Sequence, residues 1–224
     1  MKALLTALAL ACATVAISAN APVRAAPAAA TLPAPSRMVL DKRGGIMRVS
    51  LSADQKYRIR TRLADIPPAA VDTVLRYEDK YFWRHPGINP LSLVRAAAGM
   101  VRGGRIMGGS TITMQVARLI EPIPHTFGGK LRQMARAVPL DWHLAKDQIL
   151  ALSLNYAPFG GTRQGVQAAS YGYLGKPASE LSHAEAALLA VLPQAPSRLR
   201  PDRWPERARQ ARDKVLERMA AQGV

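Results

Sequence analysis

Residues 108–115 read Gly-Gly-Ser-Thr-Ile-Thr-Met-Gln and carry the signal of a helix that begins at hydroxyl side chains. The glycines are typical of a turn, and Ser110 and Thr111 are residue types that cap helices. The segment continues to Ile120, after which two prolines end it. We therefore predict a helix over 110–120. Its free backbone N–H groups suit an anion such as phosphate, although an ordinary capped helix explains the same residues.

Helical periodicity recurs along most of the chain. Pro67-Pro68 is a helix-start signal, and Ser182 with Glu185 three residues later has the pattern of a capping box. Pro139 lies inside one periodic segment and is expected to kink or split it. The other predicted helices cover 69–79, 91–102, 130–146, 147–154, 165–173, 182–192 and 204–219.

Strand signals are few. Residues 37–65 are basic and mixed, and Gly44-Gly45 separates two short alternating pieces that predict a small hairpin. The sequence therefore predicts a mainly α protein.

The composition of the 224 residues excludes several classes of protein. Hydrophobic residues at 49% and charged residues at 21% are typical of a globular chain and exclude wholesale disorder. The single Cys excludes an internal disulfide framework and a Cys-based zinc site, and we predict no metal-ligating side chains. The net charge of +16 indicates a partner that carries phosphate, while an aromatic content of 5% disfavours stacking on nucleic-acid bases.

The N-terminus indicates export. Residues 1–25 combine a short basic start, an apolar stretch and small residues, which predicts a cleaved secretory signal or, alternatively, an uncleaved membrane anchor. Residues 26–36 are rich in Ala and Pro and predict an extended tether. The remaining residues, 37–224, form the predicted domain. Export disfavours nucleic acid as a partner and favours phosphate at the membrane.

An acidic pair and a group of cations are the candidate catalytic and anion-binding residues. Glu78 and Asp79 are adjacent on a helix end, so they do not face the same way and cannot act as a pair. Such acids are often solvated surface, yet this pair lies at the unfavourable end of the helix dipole. Arg118 and Lys130 follow the helix start at Ser110 and are either anion ligands or solvated charges.

Five segments in order resemble the motifs of glycosyltransferase family 51, the peptidoglycan glycosyltransferase domain. The resemblance extends over roughly residues 66–201 of this chain, which form the motif-bearing core. The first segment reads EDKYFWRHPG from Glu78, and the second is the GGSTITMQ stretch. The other three segments are 129–133, 149–155 and 175–197.

The resemblance implies a lysozyme-like, two-lobed helical domain that polymerises lipid II into glycan strands. The Glu of the first motif, here Glu78, is the catalytic base that takes a proton from the 4-hydroxyl of the acceptor. The donor is a polyprenyl-diphosphate-linked strand, and its transfer inverts the anomeric centre. Side chains expected to hold substrate or diphosphate are Asp79, Phe82, His85, Ser110, Thr111, Gln115, Arg118, Lys130 and Gln133.

The resemblance also implies the surroundings of the reaction. No cofactor is required, and a divalent cation, Mg²⁺ or Mn²⁺, on the diphosphate is the alternative that the family leaves open. The implied partners are lipid II, the growing glycan strand, the membrane surface and cell-wall synthesis proteins, with no nucleic acid. The implied location is the periplasmic face of the inner membrane.

This sequence departs from the family pattern at several positions. Gly129 and Gln133 stand where the third motif usually has Arg and a second Glu, and Ala151 and Ser153 replace the usual Glu and Tyr of the fourth. These changes keep a non-catalytic lipid-II-binding or scaffold protein open as an alternative, and a lytic muramidase is a second one. No Ser-x-x-Lys occurs, so we expect no transpeptidase site, whether the chain is a monofunctional enzyme or part of a bifunctional one.

Overall fold

The computed structural model describes residues 32–92, 109–124 and 126–223. The predicted leader 1–25, most of the Ala/Pro-rich tether and most of the predicted helix 91–102 lie outside these residues. The chain divides into two compact units. We call Trp83–Ile149 the mid-chain unit, and Pro33–Phe82 with Leu150–Val224 the flanking unit.

Helices dominate the described residues, which confirms the prediction of a mainly α protein. Short 3₁₀ turns lie between several of them, one at Phe82–Arg84. Within the described residues, no helix is both long enough and apolar enough to cross a membrane. The α-helices are α1 (Pro68–Glu78), α2 (Ile112–Ile120), α3 (Phe127–His143), α4 (Lys146–Tyr156), α5 (Val166–Leu174), α6 (His183–Val191) and α7 (Pro205–Ala220).

Pro139 does not divide its helix, so the expected split is wrong, and the alternative, a kink, stays a prediction. The residue lies inside α3, which runs as one element from Phe127 to His143. A proline removes one backbone N–H donor and disfavours an isolated helix. Here α3 packs against α2, and Ala137 and Leu140 on either side of the proline are buried. Tertiary packing therefore holds the helix together across the missing hydrogen bond.

The packing of α1 against α6 fixes the end of α1 in the flanking unit. Helix α6 packs on both α1 and α7. Its start carries the predicted capping box, in which Ser182 accepts from the Glu185 N–H and the Glu185 side chain accepts from the Ser182 N–H. Leu75 of α1 and Leu189 of α6 are among the buried core side chains. The last residue of α1, Glu78, is thus carried by a helix that the core holds in place.

The strands are short and form two separate sheets. The predicted hairpin is present as β1 (Met38–Leu40) and β2 (Ile46–Val49), which pair antiparallel. A second sheet has the order β3-β5-β4, with β3 parallel to β5 and β4 antiparallel to β5. Its strands are β3 (Tyr57–Arg58), β4 (Pro158–Gly160) and β5 (Arg163–Gln164). The sequence did not predict this sheet.

A buried arginine holds the second sheet to the residues that precede it. The Arg58 side chain is fully buried, and its Nη2 lies 2.8 Å from the Asp54 carboxylate. Its Nε donates to Gln164 Oε1 at 2.9 Å, and its Nη1 donates to the Ala34 carbonyl at 2.6 Å. This pairing holds the pKa of Asp54 at about 2, below its ordinary value of 3.8.

Replacing Arg58 with Met should lower the free energy of unfolding by about 2–4 kcal/mol, because it leaves buried acceptors unpaired. Urea unfolding followed by circular dichroism measures the change. Arg62→Met is the matched control, since the Arg62 side chain is 83% exposed and its ion pair with Asp65 lies at the surface. That control should cost less than about 1 kcal/mol. Equal losses in the two variants would contradict the structural role of Arg58.

Candidate active site

The first motif begins at the end of α1 and crosses from one unit to the other. Glu78 is the last residue of α1 and is half-buried. Asp79 caps the helix, and its backbone N–H donates to the Leu75 carbonyl at 2.8 Å. The Phe82 N–H in turn donates to the Asp79 carbonyl at 2.9 Å, and the Phe82 side chain is fully buried. Asp79 and Phe82 therefore fix the turn that follows Glu78.

The second part of the motif belongs to the mid-chain unit. His85 is buried, and its backbone carbonyl accepts a hydrogen bond from Lys146 Nζ at 2.7 Å. The same ammonium pairs with Asp141 Oδ1 at 2.6 Å, and Thr113 Oγ1 donates to that oxygen at 3.2 Å. Sequence reasoning missed Asp141 and Lys146, because their spacing of five residues is not that of a helix-face pair.

Thr111 connects the first and second motifs within the mid-chain unit. Its hydroxyl donates to the Gly87 carbonyl at 2.5 Å and accepts from the Met114 N–H at 3.1 Å. The side chain is therefore the cap of α2 and is almost fully buried. Its hydroxyl both donates and accepts a hydrogen bond inside the protein, so Thr111 positions the start of α2.

Gly87 occupies a position where a side chain does not fit. Its φ of +78° lies in the left-handed region, and an added Cβ would be 2.4 Å from the Ala137 carbonyl oxygen. The close approach lets the backbone at Gly87 lie directly on α3. The glycine thus has a packing reason in addition to a conformational one.

Gly87→Ala is expected to lower the free energy of unfolding by about 2–4 kcal/mol, since backbone strain and a clash with backbone act together. Gly44→Ala separates the two causes, because Gly44 has a φ of +82° but nothing within 4 Å of its added Cβ. The control should lose only about 1–2 kcal/mol, the cost of the left-handed backbone. Urea unfolding compares them, and a Gly44→Ala loss as large as that of Gly87→Ala would count against the packing argument.

A half-buried ammonium is the centre of the candidate diphosphate site. Lys130 Nζ donates to Ser110 Oγ and, at 3.2 Å, to Gln133 Oε1. Burial, and then the charge of Arg118, lower the pKa of Lys130 from its ordinary value of 10.5. We refer to Ser110, Arg118, Lys130 and Gln133 as the cationic cluster. A half-buried ammonium that is coupled to an exposed guanidinium suits an anion.

Helix α2 carries two of the predicted ligands, Gln115 and the cluster member Arg118. Gln115 is in the first turn of α2 and is half-buried, and Arg118 is in its last turn and is exposed. The N–H of Gln115 donates to the Thr111 carbonyl at 3.0 Å as part of the helix. The exposed guanidinium of Arg118 is therefore accessible to a ligand as well as electrostatically coupled to Lys130.

Gln133 is held as a neutral hydrogen-bonding group. Its Nε2 donates to the Met114 carbonyl at 2.6 Å, while its Oε1 accepts from Lys130. Mg²⁺ and Mn²⁺ prefer carboxylate oxygens. The Gln133 side chain does not suit either ion, because its amide oxygen already faces the Lys130 ammonium. Among the described residues, no group of three His, Cys, Asp or Glu side chains could hold a metal ion.

Gly129, which stands where the family pattern usually has Arg, lies where the chain leaves no space for a side chain. The Thr126 side chain caps α3 by accepting from the Gly129 N–H at 3.0 Å. A Cβ at Gly129 would lie 2.0 Å from the Pro124 carbonyl oxygen. The path of the chain into α3 therefore leaves no room for any side chain at this position.

The predicted site residues fall into two sets, one in each unit. Glu78, Asp79 and Phe82 belong to the flanking unit, and all the others belong to the mid-chain unit. The structure brings Ser110, Lys130 and Gln133 into direct contact. Asp79, Phe82 and Thr111 are buried, so these three residues position the backbone around them.

Known proteins resemble this chain over most of its length. The sequence model of the transglycosylase family matches residues 44–220. Penicillin-binding protein 1C from Escherichia coli is 57% identical over 191 residues, which cover 85% of this chain and 25% of that protein. Penicillin-binding protein 1A from Pseudomonas aeruginosa is 41% identical over 168 residues, covering 74% of this chain and 20% of that protein.

A solved structure also matches. The crystal structure of penicillin-binding protein 1A from Haemophilus influenzae covers 86% of this chain and 19% of that chain, with a TM-score of 0.46 and 23% sequence identity. This chain thus spans about a quarter of the length of the curated relatives it matches, or less.

Proposed function

This chain belongs to the transglycosylase family, and we propose that it is a peptidoglycan glycosyltransferase that polymerises lipid II into glycan strands. The observation that carries the proposal is the cationic cluster, in which half-buried Lys130 contacts Ser110 and Gln133 and is coupled to Arg118. Such a cluster suits a diphosphate leaving group. Its motif follows the Glu78 motif in the order and spacing of the family.

The reaction follows from the roles of these groups. The Glu78 carboxylate takes the proton of the acceptor's 4-hydroxyl, and that oxygen forms a bond with the anomeric carbon of the donor. The bond between this carbon and the diphosphate oxygen breaks, and its electron pair leaves with the diphosphate. Lys130 and Arg118 offset the charge that develops there. A single displacement inverts the anomeric centre, so no covalent enzyme intermediate is needed.

The location and partners belong to the same proposal. Lipid II is anchored in a membrane, so an enzyme that uses it works at the membrane surface, here the periplasmic face of the inner membrane. The predicted leader 1–25 supports this location. Cell-wall synthesis proteins are the expected protein partners.

The direct test is to incubate the purified chain with labelled lipid II and to separate the products by size. Formation of glycan polymer supports the proposal. Binding of lipid II without any polymer would favour the scaffold alternative, which the neutral side chains at Gln133, Ala151 and Ser153 motivate. Release of small fragments from finished glycan strands would favour the lytic muramidase.

The neutral residue at position 133 predicts a weak dependence on divalent metal. Because Gln133 adds no charge to the cluster, the diphosphate relies on the cations of Lys130 and Arg118. We expect the wild type to keep most of its activity in a chelator. Gln133→Glu should remain active and should gain about fivefold or more from added Mg²⁺ or Mn²⁺, since a carboxylate is a ligand for either ion. Complete loss of wild-type activity in the chelator would contradict this account.

A further inference from the structure

A cavity lined by cations lies in the flanking unit, outside the candidate diphosphate site. Its volume is about 280 Å³. The side chains come from α1, from the segment after α6 and from α7, so three separate parts of the chain converge on it. Among the described residues that line it, none is acidic. The polar and charged members are Tyr77, Arg198, Arg207, Gln210, Lys214 and Arg218.

The sequence of α7 separates its charges between two faces. Arg207, Lys214 and Arg218 are seven and four residues apart, so they lie on one face of the helix. The acids of α7 each precede one of these cations by a single position and so face elsewhere. They are Glu206, Asp213 and Glu217. The charged side chains that α7 contributes to the cavity are therefore all cationic, although the helix as a whole carries acids.

Ion pairs among the described residues leave three cations of this cavity able to bind a ligand. Within the part of the chain that the structure describes, the side chains of Arg198, Lys214 and Arg218 take part in no ion pair. Asp213, by contrast, pairs with Arg212 at 2.7 Å. Like charges that converge on one cavity repel one another, and an anionic ligand reduces that repulsion.

Two contacts of aromatic side chains order residues that line the cavity. Arg207 lies over the Trp204 ring, 4.5 Å from its centroid, which limits the positions of this guanidinium. The Tyr77 hydroxyl donates to Gln194 Oε1 at 3.0 Å, which fixes the ring at the cavity wall. The lining is thus partly ordered before any ligand binds.

The cavity borders the candidate base. Tyr77 directly precedes Glu78, and burial raises the pKa of Tyr77, with the Glu78 charge raising it further and the Arg218 charge opposing it. Both charges therefore act on the same phenol. A group bound in the cavity lies beside the residue that is to receive the acceptor's proton.

The shape of the cation array favours an extended ligand. From Arg207 to Arg218 the helix advances by about 16 Å, at 1.5 Å per residue. A single phosphate cannot contact both ends of such an array, whereas an extended peptide with several carboxylates can. The glycan substrate carries short peptide branches with free carboxylates.

We propose that this cavity is a subsite for the acidic peptide branch of the glycan substrate, bound through its carboxylates by Arg198, Arg207, Lys214 and Arg218. This inference rests on the proposed function, because it assumes that the glycan reaches Glu78. It adds a second anion site that recognises carboxylates, separate from the residues that hold the diphosphate. Arginine and carboxylate groups pair with matched, bidentate geometry.

The test measures binding of a soluble probe and needs no turnover. The probe is the lipid-free disaccharide pentapeptide, titrated into the full chain by calorimetry at low and high salt. Lys214→Gln with Arg218→Gln should weaken binding about tenfold, because two charge-assisted contacts are lost. The control, Arg203→Gln with Arg209→Gln, removes the same charge from residues that do not line the cavity and should bind like the wild type.

Two further probes separate the possible ligands. The same pentapeptide with amidated carboxylates should not bind, and inorganic diphosphate should not compete for the cavity. Equal weakening in the cavity and control variants, binding of the amidated probe, or displacement by diphosphate would each overturn the proposal. Since the probe has no lipid and no leaving group, these results do not depend on whether the chain polymerises lipid II.

Discussion

Glu78→Gln is expected to lower the rate of lipid II polymerisation by about 100-fold or more, because an amide cannot accept the proton of the attacking hydroxyl. The fold should stay intact. The substitution keeps the size of the side chain at the end of α1. Lipid II binding should therefore persist. Gel separation of labelled products measures the rate, and circular dichroism monitors the helix content.

The matched control for this variant is Glu180→Gln. Glu180 is exposed and ends a short 3₁₀ turn in the same unit, so its loss of charge should not change the rate. If Glu78→Gln polymerises lipid II at a near-normal rate, Glu78 is not the base. If both variants lose activity together, the effect is one of charge in general.

Lys130→Met should reduce polymerisation by about 100-fold, since it removes the ammonium that we propose offsets the charge of the leaving diphosphate. Met keeps the length and the apolar stem of the side chain. Lys42→Met is the control, because Lys42 is an exposed cation of the hairpin turn. The rate at saturating lipid II should fall more than binding does. A Lys130→Met variant as active as the control would remove this residue from the site.

The lowered pKa of Lys130 gives this prediction a pH dependence with a definite sign. As pH rises through that pKa, the ammonium loses its charge, so activity should fall at a pH below 10.5, the ordinary value for Lys. Lys130→Arg keeps its charge over the whole range. We expect that variant to retain activity at alkaline pH where the wild type has lost it. An unchanged alkaline limb in Lys130→Arg would show that another group titrates.

Local signals in the sequence predicted the helices well. The capping box at Ser182 and the proline pair before α1 act over one helical turn, so neighbouring residues contain all the required information. The hairpin around Gly44 was predictable for the same reason. The split at Pro139 was wrong, because the packing that keeps α3 whole comes from residues distant in the sequence.

The contacts that build the second sheet and the candidate site join residues that are distant in the sequence. Local patterns therefore could not predict them. Arg58 meets Gln164 across 106 positions, and this pairing assembles the sheet that the sequence did not predict. Lys130 and Ser110 were each singled out, but their direct contact depends on how α2 and α3 pack. Thr111 was recognised as a capping type, yet its bond to Gly87 became visible only in the structure.

The tight entry into α3 constrains the order in which mutations can accumulate. Any residue larger than glycine at position 129 meets the Pro124 carbonyl, so the arginine typical of the family cannot be restored there by one substitution. The Pro124 backbone must move before any side chain fits at position 129. The effect of a substitution at position 129 therefore depends on the backbone at Pro124, so the two positions are expected to be epistatically coupled.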